Sequence, residues 1–522
     1  MPDTRHVGAR TSENMPNGSK TRKVQETDSA PAKRVPVKRT AAAATTKNDT
    51  VTKKTSAASM RKSAAAAKAK ERAVAKGKKA APQKQSPKPK KAASKPKKAP
   101  KVAEAKEAAL LVPAPFLKYR TAPTHGLAQR AKEGGKVFVF GNGDCGQLGL
   151  GEDMIERKKP FPLPELGDRQ IVDIACGGLH TMALTADGQL WSWGCNDQKV
   201  LGRSGDEFVA APVSALDGVR IAKVACSDSA TFALSDDGHV YSWGTFRGSE
   251  GIMGFSEHIH IQELPLVIND FREPVVDICA GGDHALALSA SGKVYAWGCG
   301  QQGQLGRLIM ERRRLHGLSP ERLRLVDIQH IGCGAYHSFA VAKDGTVYAW
   351  GLNNFYQLGI SPSEGGNEGV IHEPTPVSAL KNAHVVKIGG GEHHSLALTS
   401  DGKLYSFGRS DSYQTGLPFS TLPQDAAAST SNGEQSHKKA ISVPTLIASL
   451  SSIADIACGT NHNLALAADG KAYTWGFGEM LQLGNGEEED IEEPALLQGQ
   501  KIEGKKILKV GAGGQHSVIV AA

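Results

Sequence analysis

The chain has 522 residues and a formal net charge of +10, and its eight cysteines include no Cys-x-x-Cys pair. No apolar run approaches the roughly 18 residues of a membrane-spanning helix, and the N-terminus lacks the apolar core of a secretory signal peptide. These features argue against a membrane partner, a disulfide-rich secreted domain and a zinc site, and they predict reduced cysteines, no metal and no cofactor.

The first 115 residues, which we call the basic arm, differ in composition from the rest of the chain. They hold 29 Lys and Arg against 8 Asp and Glu, which leaves 34 against 45 in the remainder, and no aromatic residue precedes Phe116. A segment with this charge and no aromatic side chains cannot bury enough surface to offset its chain entropy. We therefore expect a disordered basic arm over residues 1–115 and a folded domain over residues 116–522.

Two runs in the basic arm, residues 33–39 and residues 86–101, are dense in Lys and Arg. Runs of this kind act as nuclear-import signals and neutralise DNA phosphates without reading sequence. The alternative is a tail that only keeps the protein soluble. The residues expected to meet a nuclear import receptor are Lys33, Arg34, Lys38 and Arg39.

A repeated element fills the remainder of the chain. Each copy is a short apolar strand, a Gly-Gly-x-His turn and a second apolar strand, as in IACGGLHTMAL from Ile174. Seven units of this length indicate a propeller or a solenoid. The His position recurs every 50 to 68 residues, at His180, Ala230, His284, His337, His394, His462 and His516.

Each unit continues with an Asp-Gly or Ser-Gly turn, a third strand of the type Leu-Trp-Ser-Trp-Gly, a loop and an outer strand. The two-residue turn is a strong hairpin signal. Four antiparallel strands per unit predict an all-β, seven-bladed β-propeller. Residues 135–141 match a third strand without a His element before them, and the last unit stops after its second strand. We therefore expect the N-terminal strands to complete the C-terminal blade.

Strand order predicts which loops share a face of the propeller. In an up-down-up-down blade, the turn after the first strand and the loop after the third strand lie at the same end. The His turns and the loops after the third strands are therefore expected on one face, which we call the loop face. The Asp-Gly turns are expected on the opposite face, the turn face.

The ring of His residues suggests a metal or catalytic site, but a residue present in six of seven units fits a structural role better. In that role, each imidazole hydrogen-bonds backbone within or between blades. The preceding position varies between units and includes Asp283 and His393, with Asp228 and Glu392 one residue earlier. These residues predict a polar patch around the channel mouth; the alternative is an ordinary solvated turn face. No P-loop, Gly-x-Ser-x-Gly or HExxH motif occurs.

Two loops depart from the regular unit. Six copies of the loop after the third strand span nine residues from glycine to glycine, whereas residues 244–254, the long loop, read GTFRGSEGIMG and span eleven. Residues 307–325, the Arg loop, contain ERRRLHGLSPERLR on an otherwise acidic body. Clustered arginines suit acidic protein surfaces or phosphates, and the alternative is a solvated loop.

These residues resemble the regulator of chromosome condensation family, the chromatin-bound guanine-nucleotide exchange factors of the small GTPase Ran. The resemblance is carried by GNGDCGQLGLGEDMIERKKP from Gly141, WGCNDQ from Trp193, the long loop and GCGQQGQLGR from Gly298. It covers the chain from Gly135 onward. It implies a nuclear, chromatin-associated protein that promotes GDP release by stabilising nucleotide-free Ran. Ala230 departs from the family, which usually keeps the blade His.

The resemblance also implies roles for particular residues. The long loop would be a wedge that enters the GTPase near its nucleotide phosphates, which accounts for its extra length. Asp228, Asp283 and His393 would hold the GTPase without transferring protons. The basic arm and Arg312, Arg313, Arg314 and Arg322 would bind the nucleosome, both histones and DNA. The wedge residues are Thr245, Phe246, Arg247, Gly248, Ser249, Glu250, Gly251, Ile252 and Met253.

The main alternative is a non-enzymatic propeller scaffold of the same superfamily that binds other proteins. The long loop discriminates between the two, because a scaffold has no need of an extended copy. A photoreceptor propeller is disfavoured, because that class places Trp beside the blade His, and no Trp precedes the His in this chain.

Overall fold

The computed structural model describes residues 113, 116, 125–366, 369–418, 427–429 and 435–522 of the chain. These residues form seven antiparallel sheets that follow one another around a ring, six of four strands and one of five. The predicted all-β, seven-bladed propeller is confirmed. The basic arm apart from residue 113, and with it Lys33, Arg34, Lys38 and Arg39, lies outside the described residues.

The first half of the ring begins with two strands of the closing blade, blade 7. These are β1 (Lys136–Asn142) and β2 (Glu156–Pro162). Blade 1 contains β3 (Ile171–Cys176), β4 (His180–Thr185), β5 (Leu190–Gly194) and β6 (Ala211–Pro212). Blade 2 contains β7 (Ile221–Cys226), β8 (Ala230–Ser235) and β9 (Val240–Gly244), then a separate hairpin of β10 (Phe246–Gly248) and β11 (Gly251–Gly254), and finally β12 (Gln262–Ile268).

The second half of the ring repeats this order. Blade 3 contains β13 (Val275–Ala280), β14 (His284–Ser289), β15 (Val294–Gly298) and β16 (Glu321–Arg322). Blade 4 contains β17 (Ile328–Cys333), β18 (His337–Ala342), β19 (Val347–Leu352) and β20 (Val370–Pro376). Blade 5 contains β21 (Val385–Gly390), β22 (His394–Thr399), β23 (Leu404–Arg409), β24 (Ala427–Ser429) and β25 (Gln435–Leu446).

The ring ends with blade 6 and the remaining strands of blade 7. Blade 6 contains β26 (Ile453–Cys458), β27 (His462–Ala467), β28 (Ala472–Gly476) and β29 (Ile491–Leu496), and blade 7 is completed by β30 (Ile507–Ala512) and β31 (His516–Ala521). Short 3₁₀ helices in the described part of the chain lie at Pro164–Leu166, Ser214–Leu216, Glu311–Leu318, Pro362–Glu364 and Ser378–Leu380.

Blade 7 joins the two ends of the described chain. β1 pairs antiparallel with β31, with Val139 opposite Val518, and β2 and β30 flank this pair. The predicted closing blade, N-terminal strands completing a C-terminal blade, is therefore confirmed. Closure stabilises the ring because the two ends of the chain are held in one sheet, and the strand edges that remain are short and protected.

The second strand of every blade is buried along its whole length. A sequence such as HALALS in β14 alternates Ala and Leu because neighbouring blades cover both of its faces. The cores thus lie between blades, as where Phe232 and Phe246 of blade 2 pack with Trp297 of blade 3. Full burial of one such side chain contributes roughly 1.5–3 kcal/mol.

The repeated His residues connect neighbouring blades. His284 Nε2, for example, lies 2.8 Å from Ser338 Oγ in blade 4, and this hydroxyl donates onward to the Gln304 carbonyl. Because the hydroxyl proton is used there, Nε2 carries the hydrogen and donates. The structural interpretation of the His ring is supported, but the partner in each of the six bonds is a side chain of the next blade and not backbone. The pairs are His180–Thr231, His284–Ser338, His337–Ser395, His394–Asn463, His462–Ser517 and His516–Thr181.

The junction between blades 2 and 3 lacks both partners of this hydrogen bond. Ala230 replaces the His, and the residue of blade 3 that would meet it is Ala285, which follows His284 as Ser338 follows His337. Both alanines are buried in the same apolar cluster. Loss of both partners leaves no buried polar group unsatisfied, which is nearly neutral in energy, whereas loss of one partner is costly.

The strand register confirms which loops share a face. His284 pairs directly with Gly298, so the His turn and the loop after the third strand emerge at the same end of blade 3. The segment before β1 crosses the opposite, turn face. There His125 contacts the Ile328 carbonyl at 2.8 Å, and Arg130 donates to the Ile221 carbonyl at 2.7 Å.

The first strands line a central channel whose cavity volume is about 900 Å³. The third residue of every first strand is charged or titratable, and Lys223 pairs with Asp277 and Lys387 with Asp455. Burial alone would raise the pKa of Asp455, but Lys387 and Lys509 together lower it. These third residues form a ring of charged and titratable side chains inside the channel, and its ion pairs link blades to one another. Its members are Asp173, Lys223, Asp277, His330, Lys387, Asp455 and Lys509.

Candidate functional site

The long loop folds into a two-stranded hairpin on the loop face. β10 and β11 pair antiparallel, with Arg247 opposite Ile252 and Gly248 opposite Gly251. The turn between them is Ser249 and Glu250, and both residues are exposed. The extra length of this copy therefore forms a defined hairpin with an exposed tip.

The base of the hairpin is anchored inside blade 2. Thr245 is fully buried and its Oγ1 donates to the His260 carbonyl at 2.7 Å, while Phe246 is 1% exposed. The Phe246 ring lies 6.1 Å from that of Phe232. Of the nine predicted wedge residues, these first two are thus anchors, and the part open to a partner is residues 247–253.

Two glycines allow the hairpin its shape. Gly251 has a φ of +102° at the turn, and Gly254 has a φ of +134° where the chain leaves β11. Residues with side chains rarely adopt these conformations, so they would be strained at both positions. The turn glycine and the glycine at the C-terminal end of the long loop are thereby explained.

Blade 3 holds the hairpin from the side through two residues. The Arg247 backbone N–H donates to Asp283 Oδ1 at 2.8 Å. The Ser249 backbone N–H donates to Gln301 Oε1 at 2.8 Å, and Gln301 Nε2 donates back to Ser249 Oγ at 3.1 Å. The predicted site residue Asp283 therefore contacts the hairpin itself, and its carboxylate fixes the hairpin's first strand.

The carboxyl group of Asp283 is half-removed from water at this position. Burial, helped by the nearby Asp228 carboxylate, raises the pKa of Asp283 to about 7 against the opposing hydrogen bond from the Arg247 N–H. A carboxyl with this pKa changes charge near neutral pH. The hold of blade 3 on the hairpin is thus sensitive to protonation.

Asp228 and Glu392 lie on His turns around the channel mouth. The Asp228 backbone N–H donates to the Gly282 carbonyl at 2.9 Å, and its carboxylate accepts a hydrogen bond from the Gly178 backbone. The side chain is exposed at the mouth, and the turns that surround it restrict its hydration. This desolvation, and then the Glu392 carboxylate, raise the pKa of Asp228 to about 6. The predicted polar patch is therefore an acidic one.

His393 lies in a small aromatic group on the same face. Its ring centroid is 4.9 Å from that of Phe355 and 6.1 Å from that of Tyr336. Its Nε2 lies 3.8 Å from Glu392 Oε1, and burial lowers the pKa of His393 despite that carboxylate. The imidazole is thus a mostly neutral, aromatic part of the surface, next to the acidic patch.

The Arg loop lies on the loop face as well, because it connects the third and fourth strands of blade 3. Its 3₁₀ segment, Glu311–Leu318, contacts β11, and Leu318 is buried with Phe246. Arg312, Arg313 and Arg314 are exposed on this segment. Arg322 is separate from them, since it lies in the outer strand β16 opposite Tyr295.

The structure brings Asp228, Asp283, His393 and the long loop onto one face, as strand parity predicts. It adds Gln301, which the sequence analysis missed. Gln301 belongs to a regular nine-residue loop, and nothing in its own motif marks it. Only the prediction that this loop neighbours the long loop could have drawn attention to it.

Among the residues that the structure describes, no group of three or more His, Cys, Asp or Glu side chains is placed to hold a metal ion. In the same part of the chain, no helix is long and apolar enough to cross a membrane.

A family model matches most of the folded part of the chain. The RCC1-like domain model matches residues 136–519. The regulator of chromosome condensation of Xenopus laevis is 37% identical, over 77% of this chain and 92% of the relative. The guanine nucleotide exchange factor SRM1 of Saccharomyces cerevisiae is 36% identical, over 73% of this chain and 86% of the relative.

Two solved structures are similar in sequence and in fold. One is Prp20p from Saccharomyces cerevisiae, described with its binding to Gsp1p and histones, with a TM-score of 0.71 and 36% identity over 76% of this chain and 93% of that one. The other is Kap60 bound to yeast RCC1 (Prp20), with a TM-score of 0.72 and 35% identity over 79% of this chain and 96% of that one.

Proposed function

The chain belongs to the regulator of chromosome condensation family, and from this membership we propose that it is the guanine-nucleotide exchange factor of the nuclear GTPase Ran. The observation that carries the proposal is the hairpin of the long loop, which projects beside an acidic patch on one face of the propeller. A relative that this chain covers over 86% of its length is named an exchange factor, and Prp20p binds Gsp1p, the yeast Ran.

The exchange mechanism proposed here needs no covalent chemistry and no cofactor. The hairpin tip, residues 247–253, acts as a wedge that contacts Ran near its nucleotide phosphates and favours the nucleotide-free state. A ligand shifts an equilibrium only by its differential affinity for the two states. The chain therefore raises the rate of nucleotide release, and the cellular nucleotide pool decides which nucleotide binds next.

Distinct roles follow for the residues of the loop face. Asp228, with Glu392 beside it, offers negative charge to basic residues of the GTPase, and His393 offers a neutral aromatic contact. Asp283 acts in a different way, since its carboxylate accepts the Arg247 N–H and so holds the wedge. Thr245 and Phe246 anchor the wedge from within blade 2.

A second part of the proposal concerns chromatin. We propose that the basic arm, together with Arg312, Arg313, Arg314 and Arg322, binds nucleosomes, and that Lys33, Arg34, Lys38 and Arg39 bind an import receptor. Prp20p binds histones, and yeast RCC1 forms a complex with Kap60, an importin-α. The excess of basic residues in the arm suits both acidic histone surfaces and DNA phosphates. The protein then acts in the nucleus on chromatin.

The exchange proposal is tested by release of labelled GDP from Ran. We expect the full chain in catalytic amounts to release GDP with many turnovers per molecule, because a wedge is not consumed. Stopped-flow fluorescence with excess unlabelled GTP measures the rate. Binding of Ran without faster release would instead support the scaffold alternative.

The chromatin proposal is tested by replacing Arg312, Arg313 and Arg314 together with Ala in the full chain. We expect binding to reconstituted nucleosomes to weaken by roughly 3- to 100-fold, since an exposed charged pair is worth about 0.2–1 kcal/mol and three are removed. The matched control replaces Lys381, Lys403 and Lys471, which lie on the turn face. Equal affinity of the triple-Arg variant and the wild type in an electrophoretic mobility assay would remove the Arg loop from the proposal.

A further inference from the structure

We propose that Gln301 is a positioning residue of the wedge, a role that deepens and rests on the proposed exchange function. Its side-chain amide holds the hairpin tip through Ser249. Gln301 belongs to blade 3, whereas the wedge belongs to blade 2. The active form of the wedge is thus built by two blades.

The positioning role is supported by two hydrogen bonds between Gln301 and the tip of the hairpin. Gln301 Oε1 accepts the Ser249 backbone N–H at 2.8 Å, and Gln301 Nε2 donates to Ser249 Oγ at 3.1 Å. Ser249 adjoins Glu250 at the exposed turn. One side chain therefore fixes both the backbone and the side chain of the residue farthest from the buried base.

The position of Gln301 allows little alternative placement of the tip. A Cβ added at Gly248 would lie 2.8 Å from Gln301 Oε1 and 3.2 Å from Met253 Sδ, so the glycine lets the amide approach the hairpin closely. Met253 on the other strand packs against the cluster of Phe246 and Leu318. The hairpin is therefore held by apolar packing of Met253 and by hydrogen bonds from the Gln301 amide group to Ser249.

A wedge needs this support because an isolated two-stranded hairpin is at best marginally stable in water. The base is fixed by Thr245 and the first strand by Asp283. Without Gln301, the tip would depend on the two-residue turn alone. Preorganisation of such a segment matters because ordering it during binding lowers the free energy left for displacing the nucleotide.

The test compares Gln301→Met, which keeps the length of the side chain without its hydrogen bonds, with Gln301→Glu, which keeps an acceptor for the Ser249 N–H. The control is Gln302→Met in the same loop. Hydrogen–deuterium exchange of residues 246–254 in the full chain measures the tip directly. We expect Gln301→Met to speed amide exchange there by roughly 3- to 10-fold and Gln301→Glu to restore protection.

GDP release from Ran provides the second readout. We expect Gln301→Met to lower kcat by roughly 3- to 10-fold with KM within about 2-fold, because tip order is used during displacement and not in initial docking. Gln301→Glu should recover most of kcat, and the thermal midpoint should stay that of the wild type. A merely structural role would not produce this split or this rescue.

The outcomes separate the inference from the proposed function. Unchanged amide exchange in Gln301→Met, or equal effects of the Met and Glu variants, would overturn the positioning role. The other case is a wild type that does not release GDP. If Gln301→Met then still speeds amide exchange at the tip, the positioning role is established and the exchange function is refuted.

Discussion

Deleting Ser249 and Glu250 is expected to lower the maximal rate of GDP release from Ran by about 100-fold, because a displacement of the reacting geometry by about 1 Å has costs of that size. The deletion leaves GTFRGGIMG, which spans nine residues like the six regular loops. It removes the exposed tip and leaves the anchors Thr245 and Phe246 in place.

Binding of GDP-loaded Ran should fall much less than the exchange rate, because the wedge contact is made only as the nucleotide leaves. The acidic patch of Asp228 and Glu392 and the neutral ring of His393 lie on separate turns and do not depend on the tip. An interaction used only during displacement lowers kcat, whereas one used equally in both states raises KM. Surface plasmon resonance with immobilised Ran measures affinity, and stopped-flow release measures the rate.

The matched control keeps the length of the long loop and changes only its side chains, with Ser249→Ala and Glu250→Ala together. The Ser249 backbone N–H still donates to Gln301 in this variant, so most of the exchange rate should survive. If the deletion lowers affinity and rate by the same factor, the long loop is a docking contact and not a wedge.

The closed propeller could be predicted from the sequence, because the repeat period, the turn motifs and the strand count all indicate the same fold. The period of the His position predicts the number of blades, and the Asp-Gly turns predict the hairpins within them. The unmatched strand at residues 135–141 predicts the closing blade. The observed strand pairing contains all three features. The order of the strands also placed the long loop on the same face as the His turns, because consecutive antiparallel strands run in opposite directions.

The contacts within the site were less accessible, because they join segments that are distant along the chain. The sequence marks Asp283 as unusual for its position, but not that its carboxylate accepts the Arg247 N–H, 36 residues away. Gln301 repeats the motif of its own loop and is distinguished only by its neighbour. Side-chain direction and loop curvature decide such contacts, and residue patterns encode neither.

The partners of the His ring illustrate the same limit. Recurrence in six blades correctly indicated a structural role, yet the expected backbone partner was wrong, because the acceptor is a side chain one blade onward. The residue after each His supplies it, for example Ser338 after His337 and Thr181 after His180. The paired loss of Ala230 and Ala285 becomes meaningful only when this geometry is known.

The His ring leads to the second large effect, a steep loss of stability in mild acid. Burial lowers the pKa of all six imidazoles, to about 3 for His180, His284 and His462 and to about 4 for His394 and His516. His337 shifts in the same direction, well below its ordinary value. All six are therefore neutral in the folded protein at pH values where an unfolded His is protonated.

The sign of the effect follows from proton counting. Between pH 6.5 and the folded pKa values, the unfolded chain binds more protons than the folded chain, so stability falls as pH falls. Each ring costs ~1.4 kcal/mol per pH unit in this window. His330 and His393, whose pKa values burial also lowers, act in the same direction. Four carboxyls act in the opposite direction, because burial raises their pKa values and lets the folded state take up protons first: Asp173, Asp228, Asp270 and Asp283. Eight imidazoles against four carboxyls leave a net of about four protons, which corresponds to ~5 kcal/mol per pH unit.

A domain with 5–15 kcal/mol of stability should therefore unfold between about pH 6 and pH 4.5 at a temperature it tolerates well at neutral pH. Thermal midpoints of the full chain by calorimetry, from pH 7.5 to 4.5, measure this. The sharpest variant is His284→Ala with Ser338→Ala, which copies the apolar pair that blade 2 already has. It should reduce the number of protons taken up on unfolding by one, and the exposed His258→Ala is the matched control. A midpoint that is flat over this range would mean that the rings are protonated in the folded protein, and the neutral inter-blade connections would then have to be abandoned.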